Sequence, residues 1–381
     1  MIKDYLTPTQ LNCCKTALNR ILANQNKDGS WGNKKVDKIT LTSQVIQLFL
    51  SLGIKKTDPV LLKAFRWVQD NIEVGEEHWI TELEIDLKMG RFDDVLEDQK
   101  SLDTFLNGLN HDLDYPNEEA HLNFFWHIIP TLIVFLPHYK EMQERGIEIP
   151  FTKINEKIKD FCQVFGEDRI AVEHHPNYTG LIALYYHLLS DLSGFEKCKE
   201  LSMAMCNWLM ETRTENREEV FWLDSKSITS YVIIDLLVCV DDKKIEPLLS
   251  KVTKFLIPNK KGIVGGDTKI TYNTKLHSDP LYITILALRA ISEIENFGNA
   301  DSLRKCINEI KKKKHVFFAY RFSKFISKNL RKIPLIISFV LTICGIILYT
   351  FDIREAAQII VSTGVAGALG IFFDWIFGKD R

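Results

Sequence analysis

Cysteine is sparse in this chain and never paired in sequence: the eight residues among 381 are Cys13, Cys14, Cys162, Cys198, Cys206, Cys239, Cys306 and Cys344. No CxxC spacing occurs, and the adjacent Cys13-Cys14 pair cannot close a relaxed disulfide. This usage points to a reducing compartment, with cysteine serving as a small apolar residue. The first residues, Met1-Ile2-Lys3-Asp4-Tyr5, carry no apolar run, so no cleaved signal peptide is expected. An excess of either charge is also missing. With 26% charged residues and a formal net charge of −2, no strongly basic body is present to hold a polyanion, and direct nucleic-acid binding is not expected. Alternating strand patterns are nearly absent, as are a Gly-rich phosphate loop, a nucleophile elbow and an HExxH motif.

What is present is helical periodicity. Apolar residues recur at three and four in window after window. Thr7 caps a helix that starts at Pro8 and runs to about Gln25; a second runs from about Thr40 to Leu52 and stops at Gly53. Asp58-Pro59 and Asp279-Pro280 are cap-plus-proline starts of two more. Segments opening at Tyr178, Tyr231 and Tyr282 share an apolar face at a spacing of about fifty residues, with an earlier relative at Thr42 to Gly53. A repeat of that length holds two helices, and each pair buries its face by stacking on a neighbour.

The last fifty or so residues differ from the rest. Ile333 to Phe351 and Ala356 to Phe377 are apolar spans separated by Asp352-Ile353-Arg354-Glu355. Each approaches the ~20 residues a helix needs to cross a bilayer core. The segment 311–332 before them holds nine Lys or Arg and no acid, which marks the cytoplasmic side. Both termini are therefore expected in the cytoplasm of a cell whose inner membrane holds a two-helix hairpin. Lys311, Lys312, Lys313, Lys314 and Arg321 alternate with Phe318, Phe322 and Phe325 at helical spacing, the pattern of an amphipathic helix in the headgroup plane or of a solvated linker. In the second span Ser362, Ala366 and Gly370, with Gly364 and Ala368 beside them, form a small-residue face. Such faces let transmembrane helices approach closely, either between copies of the chain or within one hairpin.

One stretch suggests how the helical body is arranged. In Arg20 to Gly32, residues Gln25, Gly29 and Trp31 resemble the QW repeat of the terpenoid cyclase and protein prenyltransferase superfamily. Fainter echoes are Trp67 with Trp79 and Trp208 with Trp222. The resemblance implies hairpins of helices closed into an α/α toroid over residues 1–310, with an open α-solenoid as the alternative. The basic helix over 311–332 and the transmembrane helices over 333–377, turning at 352–355, complete the expected all-α organisation.

The same resemblance says where catalytic groups would stand. Class II terpene cyclases use DxDD; here Asp112-Leu113-Asp114 is one carboxylate short. Asp112 and Asp114 would be the acid pair of a terpene cyclase-like enzyme, with Phe124, Phe125 and Trp126 lining an aromatic cavity. Prenyltransferases bind zinc through Asp, Cys and His, and Ile283 stands about where the histidine would be. Asp93-Asp94 and Asp98 lie in a tract, Asn71 to Ala120, with fifteen acids against three bases, where a DDxxE match arises from composition. His127 and His138, set among aromatics and leucines, read as core residues. No catalytic, metal or cofactor site is expected.

In architecture alone, a cytoplasmic body followed by a two-span hairpin resembles membrane effectors of prokaryotic antiphage systems of the retron or cyclic-nucleotide type. That resemblance implies a sensor that releases a membrane-perturbing hairpin. The implied partners are the bilayer, further copies of the chain, and a protein or ribonucleoprotein encoded nearby. A membrane-bound cyclase acting on an isoprenoid and a scaffold docking a basic partner on the acidic tract are the alternatives.

Overall fold

The structure, a computed structural model, describes residues 5–33, 35–71, 124–165, 168–173, 175–265 and 279–312, with isolated positions between 85 and 113. The described part is all-α apart from two short hairpins. It opens with α1 (Pro8–Ala23), α2 (Lys35–Ser51) and α3 (Pro59–Asn71). A π-helical turn over Phe124–Ile128 leads into α4 (Ile129–Phe135), followed by α5 (Tyr139–Glu144) and α6 (Phe151–Phe161). Then come β1 (Cys162–Val164), β2 (Ile170–Val172), α7 (Pro176–Leu189) and α8 (Cys198–Thr212). β3 (Thr214–Glu215), β4 (Val220–Phe221), α9 (Lys226–Cys239), α10 (Asp242–Leu256), α11 (Pro280–Phe297) and α12 (302–312) finish it.

The helix starts follow from local chemistry. Thr7 and Gln10 form a reciprocal capping box ahead of α1, and Pro8 occupies its first turn. Asp279 Oδ1 accepts the Leu281 N–H at 2.8 Å and Asp58 Oδ1 the Val60 N–H at 3.0 Å, so both aspartates cap helices that begin with proline. Gly53 ends the second repeat segment at φ +66°, a left-handed position that glycine occupies without strain.

Two kinds of helix alternate along the chain. α7, α9 and α11 are buried on nearly all sides, whereas α6 and α10 are strongly amphipathic. The buried helices pack side by side in the order α4, α7, α9, α11, α2. α8 lies across α7 and α9, α10 across α9 and α11, α1 against α11, and α3 against α2. The last step joins residues far apart in sequence: Asn296 Nδ2 donates to the Ser51 carbonyl at 3.1 Å, and Arg304 Nε to the Leu52 carbonyl at 3.1 Å.

The helix pairs repeat one lock. Where the chain enters a buried helix, a fully buried residue gives its backbone N–H to a threonine hydroxyl inside that helix. The pairs are Trp31 to Thr42 (2.9 Å), Val172 to Thr179 (3.0 Å), Trp222 to Thr229 (3.0 Å) and Val264 to Thr284 (2.9 Å). A threonine hydroxyl can accept this bond and still donate to the carbonyl one turn earlier, as Thr179 does to His175 and Thr284 to Pro280. This lock sets the repeat register. Thr179, Thr229 and Thr284 are equivalent, and the tyrosines at 178, 231 and 282 therefore fall at three different heights on their helices.

The antiparallel hairpins β1–β2 and β3–β4 stand at two of these helix entries. They depart from the expected near-absence of strands, because ladders of three and two residues bury too little to leave a periodic signature. The chain divides into units Met1–Ile307 and Asn308–Arg381. Among the described residues no helix is long and apolar enough to cross a membrane, and the spans over 333–377 lie outside them.

Candidate functional site

The QW-like motif works through its polar atoms. The Trp31 indole Nε1–H donates to the Ile21 carbonyl at 2.7 Å, satisfying an acceptor in the last turn of α1. Gln25 Nε2 donates to the carbonyls of Gly29 (3.0 Å) and Val60 (3.2 Å), tying the loop to the first turn of α3. Gly29 has φ +108°, and a Cβ there would fall 2.6 Å from the Lys63 carbonyl oxygen. The loop thus requires glycine on both counts. A second copy rests on Trp222, whose Nε1–H donates to the Leu209 carbonyl at 2.8 Å. Trp208, one of the fainter sequence echoes, instead packs its ring near Phe165.

The buried helices α2, α4, α7, α9 and α11 line a partly open cavity of about 180 Å³. Its walls are largely apolar: Ile133 and Val134 from α4, Leu181 and Leu184 from α7, and Ile234 from α9. Phe125 and Tyr178 add an aromatic side, stacked on each other with ring centroids 4.7 Å apart, and His175 stacks on the other face of Tyr178 at 4.5 Å. Helical spacing explains the polar set. Position five after each locking threonine lines the cavity, as does position two in α2, α7 and α9, which places Gln44 and Gln47 of α2, Tyr231 of α9 and Arg289 of α11 there; Asp235 of α9 joins them one residue after Ile234.

The electrostatics are unusual for an interior. Asp235 is 8% exposed, and burial pushes its carboxyl up to about 8, with Arg289 pulling the other way. Arg289 Nη1 reaches Gln44 Oε1 at 3.5 Å, a long bond, and among the described residues no ion pair joins it to Asp235. Asn177, 9% exposed at the start of α7, has a buried Oδ1 with no hydrogen-bond partner among the described residues. Below this group the Tyr231 and Tyr282 hydroxyls share a 2.8 Å bond; Tyr282 is held well above the ordinary phenol range, first by burial and then by Tyr231.

The residues singled out in the sequence fall unevenly around this cavity. Phe125 lines it, while Phe124 is buried against Phe125 and Phe161. Asp112, Asp114, Asp93, Asp94 and Asp98 lie outside the described residues, as do Lys313, Lys314, Phe318, Arg321, Phe322, Phe325, Ser362, Gly364, Ala366, Ala368 and Gly370. Lys311 and Lys312 continue α12, and partial burial lowers the Lys311 ammonium below its usual range. Ile283 is fully buried in α11. His138 is not a core residue: its side chain is 38% exposed and stands 3.9 Å from Glu141. Asp235 and Arg289 escaped sequence reasoning although each is the one charge in a largely apolar stretch, 227–240 and 280–292, and that charge was the available signal; Asn177, uncharged in the first turn of α7, offered none.

No family model, curated protein or solved structure matches this chain. Among the described residues no group of three or more His, Cys, Asp or Glu is placed to hold a metal ion.

Proposed function

We propose that the chain is a membrane effector: a cytoplasmic regulatory domain, its helix pairs closed into an α/α toroid, that controls a membrane-active two-helix hairpin. The contact of α11 with α2 across some 245 residues supports a closed ring over an open solenoid. The observation that carries the functional reading is the combination of a cavity at the centre of the buried helices with two apolar spans and a basic aromatic segment at the end of the sequence. A cavity of this size suits regulation by a small molecule, and the spans supply an output in the bilayer. Cells would use such a device to perturb their inner membrane when a phage-derived or partner-derived signal arrives, as in abortive infection. Self-association of the second span through Ser362, Gly364, Ala366, Ala368 and Gly370 would assemble the active form.

Reconstituting the full chain into dye-loaded anionic vesicles tests this. The native chain is expected to release dye, and a variant with Gly364, Ala366 and Gly370 replaced by leucine to insert without release. Equal leakage from both, or none from either, contradicts the reading. A second reading, a cyclase-like enzyme on a membrane-delivered isoprenoid, draws on the aromatic wall of Phe125 and Tyr178. It requires Asp114→Asn to abolish product formation from isoprenoid diphosphates.

A further inference from the structure

The cavity carries a charge that its own walls do not neutralise. Arg289 is half-buried on the cavity wall, and a guanidinium partly withdrawn from water gains from an anion or a full set of acceptors. Arg289 has neither among the described residues: its contact to Gln44 is long, and Asp235 stands nearby without pairing with it. Asn177 Oδ1, from α7, is a second buried polar atom of the lining residues with no hydrogen-bond partner among the described residues. The rest of the wall is mostly apolar or aromatic, with Gln47 and Tyr231 as further polar residues.

We propose that this cavity is a binding site for a small aromatic or branched monocarboxylate, with the ligand carboxylate on Arg289 and its apolar body between Tyr178, Leu181, Leu184 and Ile133. The planar guanidinium fork matches a carboxylate with two parallel bonds. Pockets for drug-sized ligands run to roughly 300–1,000 Å³, and about 180 Å³ is a smaller space. An apolar cavity of about 150 Å³ takes a benzene ring, so this one admits a ring bearing one carboxylate. Among the described lining residues Arg289 is the one cation, which matches a ligand with a single negative charge. Burial pushes the Asp235 carboxyl up to about 8 against the pull of Arg289, and in its protonated form it leaves the Arg289 charge uncancelled and can donate to the same ligand. Asn177 Oδ1 has no role toward a carboxylate; it suits a ring hydroxyl or amino substituent as the specificity contact.

This inference rests on the reading of the domain as regulatory, and binding is measured apart from membrane activity. Isothermal titration of the full chain in detergent micelles with benzoate, and with its neutral analogue benzamide, is the test. Benzoate is expected to bind at least about tenfold more tightly than benzamide. Arg289→Gln should remove that preference, and Leu184→Trp, which fills the cavity without touching the charge, should abolish binding of both. Circular dichroism checks that each variant folds. Equal affinity for benzoate and benzamide, benzoate binding unchanged in both variants, or no benzoate binding to the native chain overturns the assignment. Benzoate binding without any effect on vesicle leakage leaves the site standing and removes its link to the hairpin. Leakage without benzoate binding does the reverse.

Discussion

At the scale of single residues, the buried threonines do more than fill space. Each accepts a backbone N–H that would otherwise be orphaned in the interior. Thr229→Val, which keeps the shape and removes the acceptor, should cost about 1–3 kcal/mol in urea unfolding, while Thr229→Ser should retain most of it. Asp235 makes the opposite kind of contribution. Its carboxyl titrates near 3.8 when unfolded and near 8 when folded, so the folded state binds the extra proton between those values. Stability from this group is complete below about 3.8, falls as pH rises, and levels off above about 8. Asp235→Asn cannot ionise, so its stability relative to the native chain should rise between pH 4 and pH 8.5. A pH-independent difference in urea midpoint would contradict the assignment. Neither effect was legible in the sequence, where Thr229 and Asp235 are two polar residues in an apolar helix, and only packing tells which atoms they face.

At the scale of elements, the helix starts were the most legible feature. Thr7-Pro8, Asp58-Pro59 and Asp279-Pro280 carry their caps within three residues, so local chemistry suffices. The repeat register was not legible. Tyrosine is the conspicuous residue in each segment, yet the lock belongs to threonine, whose partner lies 7 to 20 residues earlier. The acid pair and, apart from Lys311 and Lys312, the membrane-interface residues named in the sequence lie outside the described residues, so they remain sequence readings. Helix contact in the core also has a specific weak point. A Cβ on Gly180 of α7 would stand 2.8 Å from Asp235 Oδ2 of α9. Gly180→Ala should therefore push the two helices apart at a cost of about 1–3 kcal/mol. Combined with Asp235→Ala, the penalty should fall well below the sum of the single effects in a double-mutant cycle.

At the scale of the whole molecule, the proposed ring makes early and late residues depend on each other. Replacing Asn296 and Arg304 by alanine removes the bonds to Ser51 and Leu52. In a closed array this speeds amide exchange throughout α2, 245 residues away in sequence, while α7 and α8 stay protected; in an open array α2 is held by α3 alone and barely responds. The coupling of that ring to the bilayer is the central claim. Membrane potential, followed with a voltage-sensitive dye in bacterial cells producing the full chain with its neighbouring genes active, tests it most directly. The account predicts loss of potential with the full chain and none when 333–377 are removed. An unchanged potential with the full chain in place would contradict it.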